Sequence, residues 1–354
     1  AGARFLELAS SRPFKVAAAP FAVSVDGGSP EILRATVTPL ELQQLFPQVL
    51  DFELEGVLPQ GQFVGRVEDG GILLAAEDPL VFRDVSVRWR EAALLDRVTV
   101  GLRYQVLYSA AGLQARSIDF TTLGPRGAPI ADATLRAVMP LRDRSTLESL
   151  HFEVLANLEP LTRQPIFRGL PAFLEGTIGG SVALSFAERS SLAGSLALHN
   201  ARVEGGDVLP DLEASLDVAA VAGERLELRA PLRISSGDGA SDLSFAGHVG
   251  ETDGRLEFEA ALTGDRLIVP DVMRFINLVS TVEPEADPSV TRDAATSAFQ
   301  QRWSKAAIAQ LRERRDESPF WGSGVSGRAV IDLGSMELER YAVTGIHGEL
   351  HVEP

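Results

Sequence analysis

Along most of the chain, apolar and polar residues alternate one by one. In GERLELRAPLRISS, residues 223–236, Leu226, Leu228, Ala230, Leu232 and Ile234 fall on one side. Arg225, Glu227, Arg229, Arg233 and Ser235 fall on the other. Successive side chains of an extended chain point to opposite faces, so this period of two predicts a strand with one oily face and one wet face. The same pattern puts Val98, Val100, Leu102, Tyr104, Val106 and Tyr108 on one face. It recurs with Leu212, Ala214, Leu216 and Val218, with Leu243, Phe245 and Val249, and with Leu256, Phe258, Ala260 and Leu262. Turn-forming runs (VEGGD, SSGDG, ETDG) separate several of these strands at short intervals, which favours antiparallel meanders over strand–helix–strand units. The chain is expected to be mainly β with a few short helices.

Three segments carry helical signals instead. In TPLELQQLFP, Thr38 suits a cap, Pro39 the first helical position and Glu41 a capping box, ahead of Leu42, Leu45 and Phe46 on one stripe. This predicts a short helix near 38–46. In VPDVMRFINLV, Val272, Phe275, Ile276 and Val279 follow the spacing of a half-buried helix, predicted over 270–280. A third, TSAFQQRWSKAAIAQLRERR, carries Phe299, Trp303, Ala306, Ala307 and Leu311, and follows the acidic, proline-rich stretch VEPEADPSVTRDA.

A repeat emerges from the order of these elements. LFPQVLDFELEG leads to Leu54, Glu55 and Gly56; PIFRGLPAFLEG leads to Leu174, Glu175 and Gly176, displaced by 120 residues. Each time a short, proline-broken apolar segment opens a run of strands. The expected organisation is a first β repeat over 1–160, a second over 161–281, an acidic loop with a helical insertion over 282–319, and strands of a third repeat over 320–354.

Composition narrows the function classes. With 45% hydrophobic residues in 354, a sizeable core is within reach. A net charge of −16 without clustered cations argues against nucleic acid, whose phosphates demand them. Cysteine is absent, which removes disulfides, thiolate metal sites and cysteine nucleophiles. The longest nearly apolar run, VAAAPFAVSV at 16–25, is shorter than the ~18 residues needed to cross a bilayer as a helix. Sparse Tyr and Trp do not make the aromatic girdles of a membrane barrel.

Catalytic chemistry finds no support in the sequence. His347 and His351 are four apart, but TGIHGELHV alternates as a strand and lacks the flanking glutamate of a zinc helix. His199 and His248 read as strand-end or turn residues, without a carboxylate partner visible in sequence. No nucleophile elbow, phosphate loop or dinucleotide fingerprint is present. Gly322, Gly324 and Gly327 read as turn glycines, and Glu283, Glu285 and Asp287 lack calcium-loop spacing. A non-enzymatic protein without cofactor, metal site or catalytic residues is expected.

The oily faces then decide the reading. They can meet one another as a dry β-sandwich, or line a hollow that holds an apolar ligand. The two LEG segments with their strand runs, LTGDRLIVPDVMRFINLV from Leu262, and the closing GRAVIDLGSMELERYAVTGIHGEL resemble the AsmA-like family of bacterial envelope proteins, relatives of bridge-like lipid-transfer proteins. The resemblance covers most of the chain from about residue 38 onward, apart from the insertion at 282–319.

It implies curved antiparallel sheet repeats forming an open, gutter-like apolar groove, with β-sandwich repeats as the alternative. It further implies lipid binding or transfer in the periplasm of a Gram-negative-type bacterium, with phospholipid or another acyl-chain lipid as partner. Anchoring to the inner membrane would come from a segment outside this chain. The residues expected to line the groove are Leu226, Leu228, Leu232, Ile234, Leu243, Phe245, Leu256, Phe258 and Leu262. A structural or adhesive sandwich without ligand is the rival reading.

Overall fold

A computed structural model describes residues 6–10, 13–18, 21–26, 30–37, 39–45, 52–90, 92–140, 147–168, 171–186, 190–206, 208–221, 225–237, 239–252, 255–280 and 325–352. The expected cap Thr38 and the insertion at 282–319 lie outside the described residues. Among the described residues the fold is mainly β: nineteen strands belong to one large mixed sheet and two more form a separate hairpin. The chain divides into two compact units, Ala1–Arg168 with Ser181–Ala187, and Gly169–Gly180 with Glu188–Pro354.

The first unit contains β1 (Leu6–Ser10), β2 (Phe14–Ala18), β3 (Phe21–Val25), β4 (Glu31–Val37), β5 (Leu40–Glu41), α1 (Leu42–Leu45), β6 (Phe52–Leu58) and β7 (Gly61–Glu68). It continues through β8 (Gly71–Ala75), β9 (Leu80–Trp89), β10 (Ala92–Ser109), β11 (Gly112–Leu123), β12 (Pro129–Pro140), β13 (Ser149–Asn157) and α2 (Leu158–Thr162). A 3-10 turn, Pro165–Phe167, follows.

The long strand β10 organises this unit. Its one edge pairs with β11, while the other is shared: Ala92 to Leu102 run beside β9, and Gln105 to Tyr108 beside β8. The sheet therefore forks into a β8–β7–β4–β1 branch and a β9–β6–β5 branch. Side chains from both branches fill the fork, with Val37, Leu40, Leu58, Ala76 and Leu80 in one cluster. A second cluster joins Leu42, Val85, Val98 and Ile130. The helix expected near 38–46 is shorter than its capping pattern suggests. Leu40 instead pairs as a strand with Leu58, and its burial in the fork outweighs local helix preference.

The second unit takes most of its residues from β15 (Ser191–Val203), β16 (Asp211–Val221), β17 (Arg225–Ser236), β18 (Gly239–Thr252), β19 (Arg255–Ile268), α3 (Val269–Ser280), β20 (Val325–Glu337) and β21 (Ala342–Val352). Before them, β14 (Phe173–Ser185) is divided between the two units. From β15 to β19 each strand pairs antiparallel with the next, as the turn signals require. The step from β19 to β20 is parallel, which corrects the expectation of a purely antiparallel sheet. Parallel neighbours need a long crossover, supplied by α3 and residues 281–324. Alternation within β20 would look the same in either pairing, so the sequence held no sign of it. The helix predicted over 270–280 is α3.

The LEG repeat has a backbone counterpart. Gly56 sits at φ +146° and Gly176 at φ +117°, conformations that a side chain resists. At Gly176 a Cβ would stand 2.7 Å from the Cα of Ala201. The neighbouring backbone is held at Asn200, itself at φ 51°, whose N–H donates to Asp211 Oδ1 at 2.8 Å. Gly176→Val is therefore expected to lower unfolding stability by about 3 kcal/mol, combining backbone strain with a backbone clash. Urea denaturation monitored by circular dichroism measures it.

Candidate functional site

Pairing registers put the alternating apolar residues of the second unit on one face. One row across the strands reads Leu192, Val218, Leu228, Gly247, Ala260, Ala329 and Leu350. The next toward α3 contains Ala230, Phe245, Leu262, Ile331 and Gly348. Beyond it run Leu196, Ala214, Leu232, Leu243, Gly264, Leu333 and Ile346. On the far side lie Ala220, Leu226, Val249, Phe258, Gly327 and Val352. These four rows hold no charged residue. The opposite face is ionic, as in the row Glu227, His248, Glu259, Arg328 and His351.

All nine residues expected to line a groove lie on this one face, on the adjacent strands β17, β18 and β19. Three of them are open to water. Leu226 is 51% exposed, Leu256 47% and Phe245 39%, while Leu228, Leu232, Leu243, Phe258 and Leu262 are half-buried. Ile234 differs, being 3% exposed. It belongs to an end row with Ser241, near α3, which packs against β17 and β20. Seven strands span about 29 Å, and the seven residues from Leu226 to Leu232 about 20 Å. The resulting strip covers a footprint of roughly 600 Å² of sheet.

Other members of the face were not among the residues expected to line the groove. Leu196, Val249, Ile331 and Leu350 are also exposed. Their strands alternate, but glycines at 194, 247, 327 and 348 interrupt the apolar series. One of these glycines has a visible packing reason: a Cβ on Gly327 would fall 2.5 Å from the Phe258 ring.

An open cavity of about 680 Å³ is formed by β16 to β20, and its lining includes Leu232 and Leu243. Glu213, Arg233, Asp242, Asp265 and Asp332 also line it, so charged groups surround this opening. The histidines also sit on the wet side. His199 and His248 prove to be strand residues with carboxylate neighbours, Asp211 at 3.3 Å and Glu259 at 3.7 Å, brought near by cross-strand register that sequence does not display. His351 stands 2.6 Å from Glu349, which also meets Arg328. Beside α3, Arg266 donates two hydrogen bonds to Glu337, and this holds the Glu337 carboxyl below its ordinary range. Among the described residues no group of three or more His, Asp and Glu could hold a metal ion.

The first unit has its own apolar face on β10–β13, with rows Leu102, Phe120, Ala133, Val154 and Tyr104, Ile118, Leu135, Phe152. Here Phe120, Leu113 and Met139 are exposed, whereas Val98, Ile130 and Ala156 are buried. Burial raises the Tyr104 hydroxyl above its usual range. Comparison with family models, curated proteins and solved structures finds no match to this chain.

Proposed function

We propose that this chain binds the acyl chains of lipid along its apolar sheet faces, as a non-enzymatic lipid-binding or lipid-transfer segment of a bacterial cell envelope. One observation carries the reading: Leu226, Phe245 and Leu256 are open to water on a face whose central rows contain no charge. A dry sandwich would have closed that face with a second layer.

The energetics favour a hydrocarbon occupant. Each methylene withdrawn from water contributes about 0.8 kcal/mol, so ten on this strip gain about 8 kcal/mol before ordering costs. No directional bond is needed, and its absence leaves the chain free to shift along the wall. The resemblance to AsmA-like envelope proteins supports the same reading. It adds a phospholipid partner, a periplasmic setting and membrane attachment through segments outside this chain.

Native mass spectrometry of protein purified from bacterial envelope without detergent tests the proposal. Phospholipid mass increments on the folded chain are expected. A clean apoprotein that also fails to bind a fluorescent fatty acid would refute it and favour a structural sheet protein.

A further inference from the structure

We infer that each apolar strip is one-sided: the helix at one end is a stop for the methyl ends of bound chains, and the polar head leaves at the other. This rests on the lipid-binding reading and adds an orientation to it.

In the second unit the strip is closed where β17, β19 and β20 meet α3. Ile234, Ser241, Ile268 and Leu333 are all buried there. The polar groups at that end are spent on one another. Ser241 Oγ accepts the Ile268 N–H at 2.7 Å, and Ser236 Oγ donates to buried Asp271 at 2.8 Å. A headgroup would have to compete with these pairings, and with Arg266–Glu337 and Arg274–Asp271 at the same end, to find a partner.

The other end of the same strands is open and charged. Leu226 and Leu256 stand exposed beside Arg225 and Glu251, both in water. Glu251 pairs with Leu256 at the margin of the apolar face, where an ionic group meets solvent at no cost to the lining.

The first unit repeats the asymmetry on its own. At the end next to α2, Val98, Ile130, Ala156 and Leu158 are buried, and Leu161 packs on that cluster. At the opposite end of these strands Tyr108, Leu113 and Met139 are exposed. The first unit shares the closed end, although on β10 Leu102 and Tyr104 also pack on the fork core.

The length agrees. From Leu226 to Leu232 the strip runs about 20 Å along the strand. The hydrocarbon of one bilayer leaflet is about 15 Å deep, half of an about 30 Å core. The strip is thus long enough to hold the hydrocarbon of one phospholipid lying along the strands.

Site-specific quenching tests the orientation. The chain has no cysteine, so Leu226→Cys and Leu232→Cys each take a single bimane label. The probe is phosphatidylcholine carrying a doxyl quencher either beside the chain carboxyl or at the chain methyl end. The methyl-end quencher should dim the Leu232 label at least about twofold more than the Leu226 label, and the carboxyl-end quencher should do the reverse. Should Leu232→Cys fail to fold by circular dichroism, Leu243→Cys in the same row replaces it. Equal quenching, or the opposite order, overturns the orientation while leaving lipid binding intact. Absence of quenching by either lipid overturns the binding reading as well.

Discussion

Leu228→Asp and Phe258→Asp should leave a folded protein that has lost its lipid. Both positions are half-buried on the strip, where a carboxylate can reach water while the face is empty. Once hydrocarbon covers the face, the same carboxylate must be desolvated at a cost of several kcal/mol. Since about 1.4 kcal/mol is a factor of ten in affinity, copurified lipid should fall at least about tenfold. The melting temperature should stay within a few degrees of the parent, about the effect of a surface change. Ile234→Asp is the matched contrast. It carries the same alternation on the same strand, yet at 3% exposure its carboxylate would be trapped in the closed end row. That variant should not fold stably. Mass spectrometry for bound lipid and thermal melts separate the outcomes. If Leu228→Asp and Phe258→Asp unfold as Ile234→Asp does, the face is a dry core.

The fork of the first unit should respond to a different lesion. Ile130 is 2% exposed and packs with Leu42, Val85 and Val98 between β9, β10 and β12. Ile130→Ala deletes three carbons from a filled site and should cost about 2–5 kcal/mol of unfolding stability. The equivalent truncation on the open strip, Leu226→Ala, should cost well under that, because most of the side chain already faces water. Chemical denaturation of the two variants gives the comparison directly. Similar losses at both positions would mean that Leu226 is packed as tightly as Ile130.

Much of the fold was readable because a period of two is a direct consequence of strand geometry. Leu226, Leu228, Leu232 and Ile234 announced their shared face before any coordinate was known. Their different burial could not be read that way. Alternation reports which side a residue takes, whereas Ile234 is buried because α3, more than thirty residues later in the chain, folds near it. The same limit explains the histidines. Asp211 lies twelve residues after His199 and becomes its neighbour through strand pairing. The fork at β10 was hidden because its two partners occupy different lengths of one strand, and composition does not record how an edge is shared. At the LEG motifs, the shared glycine meets a backbone requirement at both Gly56 and Gly176.

The parallel step from β19 to β20 has a consequence for how such a chain could grow. A hairpin ties two strands through a turn of fixed size, and inserting residues there disturbs the alignment of everything downstream. A crossover must travel back along the whole strand in any case, and lengthening a loop adds only about 0.6 kcal/mol of closure entropy per doubling. The junction after α3 is thus a permissive seam. It accepts residues 281–324 while β19 and β20 keep an unbroken offset from Leu256–Val325 to Ile268–Glu337. Extra sequence can be gained or lost at such a seam without moving a single side chain to the wrong side of the wall.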